Sequence, residues 1–167
     1  MSEGSMKTMI VGIAPARAGD EGQPLSALAS QSTGRKIADM LCLRPLDYMD
    51  KFDRINVCPF PQPSTIKPKD WTAAAENLAG SLLRGRRVIL LGSNVAECFG
   101  IPRTAYEYLE WKEISKERAY IGIAGFRVGR MAPPFSWAVL PHPSGRNRWY
   151  NEEENKTAAA QFLMGEL

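Results

Sequence analysis

The 167 residues contain one histidine, His142. A histidine-rich metal site is excluded at once. Cysteine is nearly as scarce: Cys42, Cys58 and Cys98 are odd in number, far apart and without a C-x-x-C pair. That pattern points away from a disulfide framework or a zinc or iron–sulfur site, and toward buried thiols. No apolar run approaches the roughly 18 residues that a membrane span requires. The N-terminal "MSEGSMKTMIVGI" has a single lysine and no small-residue cleavage pattern, so an intracellular, soluble protein is expected. Charge of one sign is also lacking: 21 Lys and Arg face 18 Asp and Glu, for a net +3. So small an excess does not by itself imply a polyanionic partner, and the placement of the basic residues matters more. There is no G-x-G-x-x-G and no P-loop lysine motif, which argues against a plain nucleotide-binding domain.

The composition is that of an ordinary globular protein, 44% apolar and 23% charged, and the length suits one domain over residues 1–167 with a core of its own. Residues 7–13, "KTMIVGI", predict a first strand that opens into a long loop at Gly12, Pro15 and Gly19. "STGRKIADMLCL" has a Ser/Thr start and apolar positions at helical spacing, so a helix follows. Arg54 to Cys58 predict a second strand, cut off by prolines that cannot donate to a sheet ladder. "PKDWTAAAENLAGSLLRG" predicts a helix with Asp70 as N-cap and Gly85 as stop. "RRVILLGSN" reads as a strand buried on both faces, and "NVAECFG" as a two-turn helix with Asn94 as its cap. Residues 104–118 carry both helical and strand-like signals, and both stay open. "AYIGIAGFRVGRM" leans toward strand, "SWAVLP" is a last strand, and "NEEENKTAAAQFLMG" is a closing helix with acids in its first turn. This alternation predicts an α/β fold of three layers, α/β/α, around a central, mainly parallel four-stranded sheet.

Parallel strands deliver their following loops to one edge, where ligands bind. Four loops therefore share that edge: "GIAPARAGDEG", "NVCPFPQPS", "GSNVAE" and "PHPSGRNRWYN". His142 sits in the last, between two prolines that stiffen the backbone and before Ser144, Gly145 and Asn147, which favour a tight turn. A donor held in this way suits binding or catalysis. Asn56 ends a strand of Ile and Val, and its amide needs a partner if buried, either a neighbouring loop or a ligand. "RGRR" at 84–87 precedes its strand, so it belongs to the opposite edge as a solvated charge run.

Three of these segments, "GIAPA", "NVCP" and "HPSGRN", together resemble the uracil-DNA glycosylase superfamily, which has a first motif G-x-x-P-G/A and a second H/N-P-S. The histidine form with "GRN" is similar to the single-strand-selective monofunctional branch, and "GIAPA" to the thermophilic branch with G-L-A-P-A. The resemblance implies a base-flipping enzyme of DNA base excision repair. Loss of a base builds oxocarbenium character on the sugar and negative charge on the departing ring, so donors aimed at the base oxygen lower the barrier. His142 would be that donor, as a neutral imidazole. Asn56 would read the Watson–Crick edge of the flipped base with one donor and one acceptor. Backbone N–H groups from Gly12 through Ala14 to Ala16, stiffened by Pro15, would face the pocket.

In much of the superfamily an acidic or amide side chain within the first motif positions the attacking water, and Ala14 stands there in this sequence. The resemblance then shifts that role to Asp20, with Glu21 next, although both residues also read as solvated loop carboxylates. The loop after the first motif lacks the stacking aromatic of related branches. Phe60 would substitute for it, or would be ordinary core. The thermophilic branch holds an iron–sulfur cluster through four cysteines, which three dispersed cysteines cannot reproduce, so no cofactor is expected. Ser144, Gly145, Arg146, Asn147 and Arg148 would approach DNA phosphates, and Arg146, Trp149 or Tyr150 would replace the extruded base in the stack.

These residues imply a monomeric, monofunctional glycosylase acting on uracil or a related pyrimidine, with no lysine placed for lyase chemistry. Two other readings are a DNA-binding module of the same fold that does not cut, and an enzyme acting on a 5-modified pyrimidine.

Overall fold

The structure, a computed structural model, describes residues 6–15, 22–61, 67–113, 135–144 and 147–167. Four strands, β1 (Met9–Gly12), β2 (Asp53–Asn56), β3 (Arg87–Leu91) and β4 (Ser136–Leu140), form a sheet in the order β2-β1-β3-β4. Every pair in it is parallel. The chain moves from β1 to one side and then crosses back to β3 on the other. The switch in strand order therefore falls between β1 and β3, the place where an open parallel sheet leaves a crevice at its carboxyl edge.

Alternate strand residues point to opposite faces, and this alternation sorts the core into two layers. Met9, Val11, Val88, Leu90, Trp137 and Val139 pack on one face with α3 (Thr72–Gly80) and α4 (Ser93–Cys98). Ile10, Ile89, Leu91 and Leu140 pack on the other with α1 (Thr33–Met40), α2 (Pro45–Lys51) and α5 (Glu153–Met164). The result is the expected three-layer α/β/α arrangement.

Helix α1 starts where the Ser32 Oγ accepts from the Arg35 N–H at 3.1 Å, a side-chain cap for an otherwise unpaired donor. The same hydroxyl donates to the Ser26 carbonyl at 2.6 Å, tying the preceding loop to the helix. Gly34 lets that loop lie close, since a Cβ there would collide with the Leu25 carbonyl. Leu25 itself adopts φ 52°, an uncommon conformation for a residue with a Cβ.

Several local expectations change. Helix α3 begins at Thr72 after a 3-10 turn at Pro68–Trp71, with Trp71 as its uncapped N-terminal residue, so Asp70 lies in the turn instead of capping. It ends at Gly80, where Ser81 leaves helical dihedrals at φ −118° and ψ −81° and its hydroxyl bonds the Asn77 carbonyl at 2.7 Å, and Gly85 turns the chain toward β3 with φ 71°. Gly92, not Asn94, precedes α4. Helix α2 was not anticipated although Pro45 opens it, Asp47 stands in its first turn and Lys51 in its last; its burial pattern is unusual, with Leu46 exposed and Tyr48, the residue with a polar tip, buried.

Of the open stretch 104–118, residues up to 113 are described: a 3-10 turn at Arg103–Ala105 is followed by two isolated bridges, Tyr108 to Val139 and Lys112 to Trp137, along β4, and 114–118 lie outside the described residues. The expected strand at 119–131 lies outside the described residues. The basic run lies at the amino edge as expected, but two of its members are structural clamps. Arg86 pairs with Asp53, and Arg87 makes two hydrogen bonds to Glu166 at 2.9 and 2.7 Å while stacking on Trp111.

Candidate active site

The carboxyl ends of β1 and β2 stay paired beyond the strands. Val57 N–H donates to the Gly12 carbonyl at 3.0 Å, and Cys58 N–H to the Ile13 carbonyl at 2.8 Å. This ladder fixes the first motif against the Asn56 segment. The Asn56 side chain lies over Gly12, where an added Cβ would stand 2.5 Å from its Oδ1 and 2.9 Å from Leu25. Any side chain at position 12 would displace the amide. Asn56 is 9% exposed, and its Oδ1 has no hydrogen-bond partner. A buried polar atom left in that state costs about 1–3 kcal/mol, so the amide is poised for a ligand. It opens into a cavity of about 170 Å³ that Ala14, Pro15, Leu25, Ser26 and Thr33 help to line.

On the other side of the switch point, His142 leaves β4 between the buried Pro141 and Pro143. Its carbonyl accepts from the Ser144 N–H at 2.8 Å and from the Asn147 Nδ2 at 3.1 Å. The Asn147 Oδ1 in turn accepts from the Trp149 N–H at 3.1 Å, and the Tyr150 hydroxyl donates to the Pro141 carbonyl at 2.7 Å. The loop is therefore clasped from both sides. Gly92, at φ 87° and ψ 166°, leaves room for it: a Cβ at position 92 would stand 3.1 Å from the His142 Cβ.

Burial, and secondarily the nearby Lys36 ammonium, hold the imidazole below its ordinary value, so it is neutral at pH 7. A neutral imidazole keeps one N–H as a donor and stabilises an oxyanion without having to give up the proton.

The two glycines mirror each other. Asn56 belongs to the outer strand β2 but leans over β1 at Gly12, while His142 follows the outer strand β4 but rests on Gly92 at the end of β3. Three inter-strand steps of about 4.8 Å separate β2 from β4. Asn56 lines the cavity beside the first loop, and the His142 loop borders a second groove through Pro143 and Ser144, so the two strand ends open onto cavities with no lining residue in common.

The remaining expected residues are distributed as follows. Phe60 is 63% exposed, which removes the core reading and leaves an aromatic ring at the surface four residues after Asn56. Ser144 is half-buried and Arg148 exposed. Asn147 spends both ends of its amide on the loop itself. Trp149 is half-buried, edge-on to Tyr150 at 4.9 Å and to Tyr108 at 6.1 Å. Ala16, Asp20, Glu21, Gly145 and Arg146 lie outside the described residues. Among the described residues no group of three His, Cys, Asp or Glu side chains stands close enough to hold a metal.

Sequence reasoning passed over Leu25, Lys36 and Gly92. Lys36 had a signal: it precedes Met40 by one helical turn and so shares its face. Gly92 had one too, as a glycine between a buried strand and a helix.

A parallel sheet with a switch point between β1 and β3, a partnerless Asn56 oxygen beside the first loop and a clasped histidine loop after β4 defines an α/β protein whose candidate site lies at the carboxyl edge of its sheet. The chain belongs to the uracil DNA glycosylase superfamily, whose family model matches residues 2–164. A search of curated proteins found no match. With the membership come a general DNA-glycosylase type of function, DNA as the class of substrate, and DNA repair by hydrolysis as its setting. No helix among the described residues is long and apolar enough to cross a membrane.

Proposed function

We propose that the protein is a monofunctional DNA glycosylase that hydrolyses the N-glycosidic bond of uracil, or of a related damaged pyrimidine, after the nucleotide is flipped from the strand. The observation that supports this reading is the buried Asn56 Oδ1, left without a partner above Gly12, together with a neutral imidazole that follows β4 at the same carboxyl edge of the sheet. Asn56 binds the Watson–Crick edge of the base, where one amide matches the carbonyl and N–H of uracil and mismatches cytosine. His142 donates its N–H to the base oxygen on which negative charge develops, and acts only as that charge appears. Phe60, exposed at the surface four residues after Asn56, covers the base, and Ser144 and Arg148 meet the phosphates. Asp20 or Glu21 positions the water that attacks C1′. The unit is a single domain over residues 1–167 and works as a monomer.

The test is incubation with end-labelled oligonucleotides carrying one uracil, single-stranded or opposite guanine or adenine, followed by alkali cleavage and analysis of the released product. Free uracil and an abasic site support the reading, and loss of both in His142→Ala places the imidazole in the reaction. A second reading, a DNA reader of the same fold that does not cut, is favoured by Ala14, whose methyl lines the cavity where a water-positioning group would stand. Tight binding of uracil DNA without product would establish that reading. Release of a 5-modified base but not uracil would move the substrate to that class.

A further inference from the structure

A groove of about 510 Å³ runs between α1 and α5 beside the His142 loop. Met40, Pro143, Ala160 and Tyr150 give it apolar surface, and its polar lining is Lys36, Lys156, Ser144, Thr157 and one carboxylate, Glu153. The Tyr150 ring is fixed because its hydroxyl is bonded to the Pro141 carbonyl. We infer that this groove seats the nucleotide next to the target on a single DNA strand, its phosphate held between Lys36 and Lys156 and its base resting on the apolar surface. The inference rests on the DNA-glycosylase reading and extends it to a second contact point on the same strand.

Three observations carry it. Ser144 lines the groove and is two residues from His142, so a strand delivering a base to the imidazole passes directly onto this surface. Lys36 is half-buried, its ammonium has no ion pair or hydrogen bond among the described residues, and its charge is felt at His142. An unpaired ammonium in a partly apolar wall is a ready phosphate partner. Lys156 does have a partner, Glu153 at 2.9 Å, but both side chains are largely exposed, at 48% and 81%. An exposed pair of this kind contributes little, so a phosphate competes for the lysine. The flat ring of Tyr150, held beside a methionine, suits a base, because every base has a face to stack whatever its sequence.

The experiment measures binding of a fluorescent, uracil-free oligothymidylate to the whole chain by anisotropy across a salt series, in parallel with uracil excision. Each lysine contact to a single strand contributes about 0.7 to the slope of log affinity against log salt, so losing one weakens binding about fivefold at 0.1 M salt. Lys36→Gln and Lys156→Gln should each show that loss, and the double variant should lower the slope by about 1.4. Lys36→Arg should bind as the parent does. In excision, the double variant should raise KM and leave kcat in place.

Unchanged affinity and slope in the double variant would overturn the groove. So would an equal loss from Arg84→Gln, which changes an exposed charge just before β3, at the opposite edge of the sheet. The parent's excision activity decides the underlying reading separately. A protein that binds oligothymidylate through both lysines but releases no base keeps the groove and loses the glycosylase reading. One that excises uracil without sensing the lysines does the reverse.

Discussion

Gly92 offers the sharpest perturbation, because a single methyl group tests how the histidine loop is held. At φ 87° and ψ 166° the backbone occupies a region that is essentially restricted to glycine, and forcing another residue into it costs about 1–3 kcal/mol. The added Cβ would also stand 3.1 Å from the His142 Cβ. That neighbour is not the tip of a flexible side chain. It is the root of the imidazole, fixed between two buried prolines and by the bonds to its own carbonyl. The clash is therefore relieved by moving the loop. For a chain of this size, about 2 kcal/mol lowers Tm by about 4–8 °C, and a displacement approaching 1 Å at a catalytic donor costs about 100-fold in rate. The assays are thermal unfolding and single-turnover excision of uracil from a labelled oligonucleotide by Gly92→Ala. A variant with the parent's Tm and the parent's rate would refute the packing argument. One with the parent's Tm and a slow rate would show that the loop relaxes without strain but loses its aim.

Three further outcomes follow from the same geometry. Asn56→Leu replaces an unsatisfied buried amide by an apolar group of similar shape, so Tm should stay level or rise by a few degrees while affinity for the base is lost. A fall of several degrees would mean that the amide is bonded in the free protein. The His142 imidazole is held below the ordinary 6.5 by burial and then by Lys36, so the unfolded chain takes up its proton first as pH falls. Stability should therefore drop as pH falls below about 6.5, and the drop should vanish in His142→Gln. Excision should hold through pH 6.5 and decline only at lower pH. Burial acts to raise the Glu166 carboxyl, but hydrogen bonds from Arg87 and Thr8 outweigh it and hold the group below its ordinary value. Its stabilising effect is complete above about pH 4.5 and is lost as pH falls through the lower, folded value. Glu166→Gln should lower Tm at pH 7 and flatten the acid limb of stability, as denaturant melts at pH 7 and pH 4 would show.

Much of this architecture was legible because the strands are short and sharply punctuated. "RVILL", buried on both faces but for its first residue, reads as an inner parallel strand, and Ser32 marks the start of α1 as Ser/Thr caps do. Helix α2 was missed despite Pro45 at its start and Lys51 at its end, because Leu46 points to solvent while the buried contact is made by Tyr48, and pattern reading weights these residues the other way. Asp70 looked like a cap since residue type favours it, but a 3-10 turn fixed by Pro68 carries the chain past it before α3 begins. Among candidate site residues, the positions of Asn56 and His142 at the carboxyl ends of β2 and β4 were readable from strand ends and flanking prolines. The clearances at Gly12 and Gly92 were not, because they arise from neighbours 44 and 50 positions away along the chain. Arg86 and Arg87 looked like idle surface charge for the same reason: Asp53 and Glu166 are remote in sequence.

The central claim is that Asn56 and His142 grip one and the same ring. The chain has a single histidine, so its imidazole gives one set of NMR signals, and a titration with free uracil reads that set together with the Asn56 side-chain amide. The account predicts that both move and saturate with a single common Kd. Movement of only one, or of the two at different concentrations, would contradict it.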